Sequence, residues 1–255
     1  MTKKSYAKVN MFLKIAGKRD NYHELVSRFV RVKNLFDTIS FIKQDCNEFT
    51  LDGNFGCDTK QNTIFKAYSI LAKKYSIVEE YFKYNKVVVY KNIPEFAGLG
   101  GGSSNCATFM NMVNKECDLK LSKDQLSSIA ATIGADVPFF IYEVDSANVT
   151  GIGEIVKEFK EETLDITVLT PNIQCNTGDI FKDFRDNCYK EISKEDANKL
   201  LNMTSINILK ELSIKEANDL YLPAKNCNKE LEEYAKKDWY FSGSGSSFFK
   251  INKVN

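Results

Sequence analysis

The sequence lacks the patterns of histidine and cysteine that are typical of metal sites and disulfide frameworks. Its 255 residues include one histidine, one tryptophan and four prolines, and the seven cysteines form no Cys-x-x-Cys pair. A structural zinc site would therefore have few ligands available, and an odd number of widely spaced cysteines favours free thiols. We expect no resident metal ion and no disulfide bonds.

An excess of charge of one sign and a long apolar run are also lacking. Lys and Arg together number 35 and Asp and Glu 34, which leaves a formal charge of +1. The apolar runs are far shorter than the roughly 20 residues that span a bilayer, and the N-terminus has no signal-peptide stretch. Because no basic field covers the chain, a nucleic acid or an anionic membrane is disfavoured as a partner. We expect a soluble cytoplasmic protein, and the sequence leaves its oligomeric state open.

The spacing of apolar residues predicts strands and helices without strict alternation, which is typical of an α+β fold. Residues 148–153 are turn-rich and form a candidate boundary between two domains, residues 1–152 and 153–255. The predicted strands cover residues 6–15, 29–42, 86–90, 139–141, 165–169, 239–241 and 248–251. The predicted helices cover residues 62–75, 122–133, 180–184, 195–203 and 228–237 and one that starts near Ser103.

A glycine-rich segment between a predicted strand and a predicted helix is the strongest motif; it runs from Pro94 to Ser104 as PEFAGLGGGSS. Glycines permit positive φ angles and close approach of backbone N–H groups to a ligand. The helix that follows adds unpaired N–H groups and the positive end of its dipole. Together they predict a phosphate-binding loop. The segment is neither a Walker A loop, since no Lys follows a glycine at the required spacing, nor a dinucleotide fingerprint, since Ser103 occupies the third glycine position.

Further segments carry polar groups that could take part in chemistry but also have ordinary structural interpretations. Asp136, in Gly-Ala-Asp-Val-Pro, is either a positioned general base or a turn and capping residue. The turn Ser242–Ser247 is rich in glycine and hydroxyl groups, but by itself it is an ordinary hairpin loop. His23 is the only histidine, and an isolated histidine is usually structural or solvated. Ser103 or Ser104 is a plausible helix cap, and either could touch phosphates or an accompanying metal ion.

In this order, these segments resemble the GHMP kinase superfamily. The Lys-x-Asn strand followed by Tyr-His is closest to members whose alcohol substrate carries a diphosphocytidyl group. A weaker match covers residues 177–183 (TGDIFKD). The six segments that carry the resemblance span nearly the whole chain and are AKVNMFLKI (7–15), YHEL (22–25), the glycine-rich segment, GADVP (134–138), GIGE (151–154) and FSGSG (241–245).

The resemblance implies two α+β domains: an N-terminal, ribosomal-protein-like domain that binds ATP and a C-terminal, ferredoxin-like domain, with the substrate in the cleft between them. It implies ATP-dependent phosphorylation of the 2-hydroxyl of 4-diphosphocytidyl-2-C-methyl-D-erythritol in the non-mevalonate route to isoprenoids. Mg²⁺ would arrive with ATP, since the sequence contains no dedicated carboxylate cluster for it.

Site residues also follow from the resemblance. Asp136 matches the family's general base, and Lys8 matches the partner that keeps this carboxylate charged and helps to neutralise the transferred group. Tyr22 and Phe181 would stack on the cytosine ring, and His23 would stack on it or hydrogen-bond to it. The expected ATP-binding residues are Glu95, Phe96, Ala97, Gly98, Leu99, Gly100, Gly101, Gly102, Ser103, Ser104 and Asn105. The expected substrate-binding residues are Asn10, Tyr22, His23, Thr177, Phe181, Gly243, Ser244 and Gly245.

The chain departs from the family pattern at Phe96 and Ala97, which stand where small residues are usual, and it is short for the family. The main rival is another GHMP kinase, of the mevalonate or homoserine type; Tyr22 and His23 disfavour it because those substrates have no base to stack. A catalytically silent nucleotide-binding relative is disfavoured because Lys8 and Asp136 are both retained.

Overall fold

The computed structural model describes residues 1–20 and 22–252; Asn21 and residues 253–255 lie outside the described chain. Strands and helices are both abundant, which confirms the predicted α+β class. The strands are β1 (Thr2–Arg19), β2 (Tyr22–Lys43), β3 (Leu51–Gly53), β4 (Asn85–Tyr90), β5 (Ser146–Gly151), β6 (Ile155–Glu158), β7 (Ile166–Leu169), β8 (Tyr240–Phe241) and β9 (Phe248–Ile251). The α-helices are α1 (Thr63–Lys74), α2 (Ser76–Phe82), α3 (Gly101–Glu116), α4 (Lys123–Ala131), α5 (Val137–Tyr142), α6 (Thr177–Asp183), α7 (Lys194–Asn202), α8 (Ser205–Glu211), α9 (Ile214–Ala217) and α10 (Tyr221–Cys227).

Two compact units divide the chain. The first comprises residues 1–7, 35–95 and 101–143; the second comprises residues 8–34, 96–100 and the described chain from Val144 onward. The long strands β1 and β2 and the glycine-rich segment each contribute residues to both units. The predicted domain boundary between residues 152 and 153 stays a prediction.

In the first unit, a small sheet packs against helices. The second half of β2 pairs antiparallel with β4, from Thr38 opposite Tyr90 to Lys43 opposite Asn85, and β3 pairs parallel with β4. Phe41 of β2 contacts Phe82 of α2 and Phe109 of α3 edge-on, with ring centroids 5.2 and 5.7 Å apart. This aromatic core fixes β4 and α3, the two elements that flank the glycine-rich segment.

The second unit contains the first half of β2 and a separate three-stranded sheet. β2 pairs antiparallel with β5, and β5 pairs with β6. In the other sheet β9 lies between β7 and β8. The core of this unit includes Leu13 and Ile15 of β1, Ile180 of α6, and Phe241 and Phe248 at the two ends of the β8–β9 turn. Both ends of the turn Ser242–Ser247 are thereby anchored in the core.

Two predicted segments have a different structure. Residues 139–141 belong to helix α5 rather than to a buried strand, and Pro138 lies in its first turn, where a missing N–H costs nothing. The apolar run is thus a buried helix, which periodicity alone does not distinguish from a strand over so short a stretch. Residues 148–151 are not a turn but part of strand β5, and the turn is confined to the β5–β6 hairpin.

Several helix boundaries also differ from the prediction. Helix α3 begins at Gly101, so Ser103 and Ser104 lie inside its first turn rather than capping it. The predicted helix over residues 228–237 is a shorter 3₁₀ helix, Lys229–Tyr234. The sequence analysis missed α2, α8, α9 and α10, which are only four to seven residues long.

All seven cysteines are free thiols. Over residues 1–20 and 22–252, no helix combines the length and the apolar character needed to cross a membrane.

Candidate active site

The glycine-rich segment forms a tight backbone turn that leads directly into helix α3. Gly98 and Gly100 have φ angles of 75° and 69°, and Phe96 has a φ of 54°. Because α3 starts at Gly101, its first N–H groups have no partner within the helix. Gly102 is exposed and Ser103 half-buried, so this helix end is accessible to a ligand. Positive φ angles and an accessible helix N-terminus are both features that a phosphate-binding loop requires.

Within the second unit, residues 96–100 of this loop are held from two sides. The carbonyl oxygen of Gly98 accepts hydrogen bonds from Lys8 Nζ at 3.1 Å and Ser242 Oγ at 3.0 Å. The Lys8 backbone N–H donates to the Leu99 carbonyl at 2.9 Å. A Cβ atom added to Gly98 would collide with the Ser242 carbonyl oxygen. The glycine-rich segment thus packs on the turn Ser242–Ser247, a contact that the sequence analysis did not predict.

Lys8 is buried beside a residue predicted to bind substrate. Its ammonium donates to Asn10 Oδ1 at 2.7 Å and lies 4.6 Å from the centre of the Phe29 ring. The Asn10 amide in turn donates to Ser27 Oγ at 3.0 Å. The Lys-x-Asn spacing places both side chains on one face of β1, so the structure brings these two predicted site residues into contact.

Four of the predicted substrate-binding residues meet at the turn after β8. The hydroxyl groups of Thr177 and Ser244 are hydrogen-bonded at 2.8 Å, and Gly243 and Gly245 have φ angles of 58° and 89°. The Asn218 amide donates to the carbonyls of Phe241 and Gly243, both at 2.9 Å. Asn218 is buried and holds the turn in place, yet no motif in the sequence points to it.

His23 lies in an aromatic cluster. The residue is 7% exposed, and its ring stacks on Phe181, with centroids 5.4 Å apart and planes 17° apart. Phe184 meets it edge-on at 5.6 Å, and Tyr189 lies at 6.1 Å. The sequence analysis found His23 and Phe181 but missed Phe184 and Tyr189. The residue before His23, Tyr22, is 64% exposed.

Neither ring nitrogen of His23 has a hydrogen-bond partner among the described residues. Burial lowers the pKa of His23 from its ordinary value, and the positive charges of Arg185 and Lys18 lower it further. A neutral imidazole carries one donor and one acceptor, and leaving both buried and unsatisfied is costly. Both nitrogens therefore keep a hydrogen-bonding capacity that the described residues do not use.

Asp136 belongs to the first unit, whereas Lys8 belongs to the second. Asp136 is half-buried and directly precedes α5, where the positive end of the helix dipole stabilises a carboxylate. Within residues 136–142, all of which the structure describes, its side chain makes no capping hydrogen bond. The capping interpretation of Asp136 therefore has no support in this helix.

The remaining predicted ATP-binding residues have different surroundings. Ser104 and Asn105 are buried, and both hydrogen-bond to Ser5, at 2.8 and 2.9 Å. The side chain of Glu95 accepts a hydrogen bond from the Gly56 N–H at 2.6 Å. Ala97 and Leu99 are buried, whereas Phe96 is 67% exposed. Of the two serines that the sequence left as alternatives, Ser103 is the more accessible to a ligand.

Comparison with known proteins connects this geometry to a family. Residues 62–143 match the profile of the GHMP kinases N terminal domain. A crystal structure of 4-(cytidine 5'-diphospho)-2C-methyl-D-erythritol kinase superposes with a TM-score of 0.74 at 26% identity and covers 99% of this chain and 90% of its own. The chain therefore has the GHMP kinase fold, as the resemblance implied.

Two curated relatives align over nearly the full length. The 4-diphosphocytidyl-2-C-methyl-D-erythritol kinase of Sulfurimonas denitrificans is 49% identical over 98% of this chain and 96% of its own. The enzyme of the same name from Sulfurovum sp. is 43% identical over 97% of each chain. Because both relatives exceed 40% identity over nearly the full length, this chain belongs to the 4-diphosphocytidyl-2-C-methyl-D-erythritol kinase family of GHMP kinases.

Proposed function

We propose that this kinase transfers the γ-phosphoryl group of ATP to the 2-hydroxyl of 4-diphosphocytidyl-2-C-methyl-D-erythritol, a step of non-mevalonate isoprenoid synthesis. Family membership supports the reaction class. The observation that carries the substrate assignment is the buried, stacked His23, both of whose ring nitrogens are unsatisfied.

Cytosine matches the surroundings of His23. A pyrimidine ring has two apolar faces, which suit stacking on Phe181 or under the exposed Tyr22. Its edge carries both donors and acceptors, so it would pair with one ring nitrogen of His23, whether that nitrogen donates or accepts. Because the lowered pKa keeps His23 neutral, the imidazole is able to donate with one nitrogen and accept with the other. A polyol or an amino acid without a base would leave the aromatic surface unused.

The phosphate groups of ATP fit the accessible end of α3. Backbone N–H groups at a helix N-terminus favour phosphate by hydrogen bonding and through the helix dipole. Within residues 1–20 and 22–252, no group of three or more His, Cys, Asp or Glu side chains is arranged to hold a metal ion. We therefore treat Mg²⁺ as part of the MgATP substrate, with the half-buried Ser103 as the hydroxyl best placed on α3 to touch the phosphates.

In this proposal Asp136 is the general base. It accepts the proton of the 2-hydroxyl as that oxygen attacks the γ-phosphorus, the bond to the β-phosphate oxygen breaks, and ADP leaves. Lys8 stabilises negative charge on the transferred group, and Asn10 orients the alcohol. Phosphoryl transfer depends mainly on positioning and electrostatic stabilisation, and the fixed hydrogen bonds of Lys8 and Asn10 provide positioning. The assignment of both catalytic roles rests on the family resemblance.

A coupled ADP-release assay with a small panel of alcohols tests the proposal. The panel contains 4-diphosphocytidyl-2-C-methyl-D-erythritol, its uncytidylated precursor, mevalonate and homoserine. We expect turnover with the cytidylated alcohol alone, since only this compound offers a base to His23. Turnover of mevalonate or homoserine instead would place the chain among the other GHMP kinases. Absence of turnover with every alcohol, together with measurable ATP binding, would identify a catalytically silent relative.

A further inference from the structure

Asp37, in strand β2, is a completely buried carboxylate with no place in the proposed chemistry. It is 0% exposed. One of its oxygens, Oδ1, accepts the backbone N–H groups of Asn92 and Ile93 at 2.7 and 2.8 Å. The other, Oδ2, accepts from Lys91 Nζ at 2.5 Å and from the Asn105 amide at 2.9 Å. Four hydrogen bonds thus converge on one side chain.

The four donors come from the two ends of the glycine-rich segment. Lys91, Asn92 and Ile93 form the exit from strand β4, immediately before Pro94. Asn105 lies in the second turn of α3, directly after the segment. Lys91 Nζ also donates to Asn105 Oδ1 at 3.0 Å, so the two ends are connected directly as well as through Asp37. All of these residues belong to the first unit.

We propose that Asp37 is a positioning residue for the phosphate-binding loop: by joining the strand exit to the first residues of α3, it sets the distance that the loop must span. This inference rests on the ATP-binding role proposed for the loop. Catalytic and binding groups need to be held to within a fraction of an ångström by rigid neighbours. The Asp37 carboxylate accepts four hydrogen bonds from residues on both sides of the glycine-rich segment. It thereby holds the loop in its ATP-binding conformation before ATP arrives.

The charge and the acceptor-only character of Asp37 are both needed. All four partners are donors, and an ionised carboxylate is the side chain that accepts on both oxygens. Asp37→Asn keeps the shape but turns one acceptor into a donor. That donor would then face either Lys91 and Asn105 or the two backbone N–H groups. It also leaves the Lys91 ammonium beside a neutral group, so the connection through Asp37 would weaken and only the direct Lys91–Asn105 hydrogen bond would still join the strand exit to α3.

The test compares Asp37→Asn with the wild type in nucleotide binding and in kinetics. We expect the Kd for ADP, from isothermal titration calorimetry, and the KM for ATP to rise about tenfold, the size of one lost charge-assisted hydrogen bond. The KM for the cytidylated alcohol should stay within about twofold of the wild-type value. Unchanged nucleotide affinity in a folded variant would overturn the proposal. The ADP titration needs no acceptor alcohol, so its result is separate from the substrate assignment.

Glu161→Gln is the matched control. Glu161 is also a carboxylate with little exposure, 6% for its side chain; it accepts from Ser146 Oγ and Ser205 Oγ, both at 2.7 Å, and it lies in the second unit. This variant should lose thermal stability without raising the Kd for ADP. An equal rise in both variants would show that general destabilisation is the cause and would overturn the proposal.

Ser5→Ala decides the question if Asp37→Asn does not fold. It removes the hydroxyl that accepts from Asn105 and donates to Ser104, so it loosens the same network without removing a charge. We expect the Kd for ADP to rise about threefold, the size of one neutral hydrogen bond. An unchanged Kd would overturn the proposal.

Discussion

At the scale of single residues, the environment of His23 differs from that of most structural histidines. A structural histidine in a core usually donates to a backbone carbonyl or a carboxylate. The ring of His23 is instead surrounded by Phe181, Phe184 and Tyr189. Among the described residues none hydrogen-bonds to this buried ring, and its burial has a consequence for stability that is measurable without substrate.

The lowered pKa of His23 predicts a pH dependence of folding. In the unfolded chain the histidine titrates near 6.5, so below that pH the unfolded state binds a proton that the native state resists. The contribution of neutral His23 to the free energy of unfolding is complete above 6.5 and is lost as the pH falls from there towards the lower native pKa. Urea unfolding of the ligand-free protein at several pH values measures this effect.

His23→Phe is the comparison variant, because it keeps an aromatic ring and removes the titration. From about pH 7 to about pH 5, the free energy of unfolding should fall less in the variant than in the wild type. All carboxylates are common to both proteins and cancel in the difference. Equal pH dependence of the two proteins would contradict the account of His23.

At the scale of structural elements, two glycine-containing turns pack together. Ser242 bonds to the Gly98 carbonyl, and Asn218 holds the carbonyls of Phe241 and Gly243. Gly98 has a positive φ and lies against the Ser242 backbone. Position 98 therefore requires glycine for two reasons. Its backbone has a positive φ, and the Ser242 backbone leaves no room for a Cβ atom.

Gly98→Ala should disable ATP binding. A non-glycine residue at this φ costs about 1–3 kcal/mol, and the added Cβ would force residues 96–100 away from the turn after β8. A displacement of about 1 Å at a binding loop costs about a hundredfold in activity. We expect a loss of that order in kcat/KM for ATP, measured by steady-state kinetics.

Gly17→Ala serves as the matched control in β1. Gly17 is not among the residues with a positive φ, and the nearest atom to an added Cβ, Glu24 Oε2, would be at an ordinary distance of 3.4 Å. This variant should retain the kinetics of the wild type. Near-normal kinetics of Gly98→Ala would show that the two turns do not depend on each other.

At the scale of the whole molecule, the features that could be predicted from the sequence are those that lie within short segments. The glycine-rich segment and the α+β class follow from local composition and spacing, whereas the Lys8–Asn10 pair was predicted from the family resemblance. The partners of Arg28 follow from neither: its buried guanidinium, whose pKa burial lowers to about 10, bonds to Asn148 Oδ1 and to the carbonyls of Leu201 and Met203. Asp37 and Asn218 are similar cases. Contacts that join positions far apart in sequence leave no periodic pattern, so only the folded structure identifies them.

The central claim is that Asp136 accepts the proton of an alcohol while ATP is bound at the glycine-rich loop. The most direct measurement is kcat of Asp136→Asn with saturating ATP and 4-diphosphocytidyl-2-C-methyl-D-erythritol, with the Kd for ATP measured in parallel. A general base contributes about 10²–10⁴-fold, so we expect kcat to fall by that factor while the Kd for ATP stays near the wild-type value. A kcat within about threefold of the wild type would contradict the account.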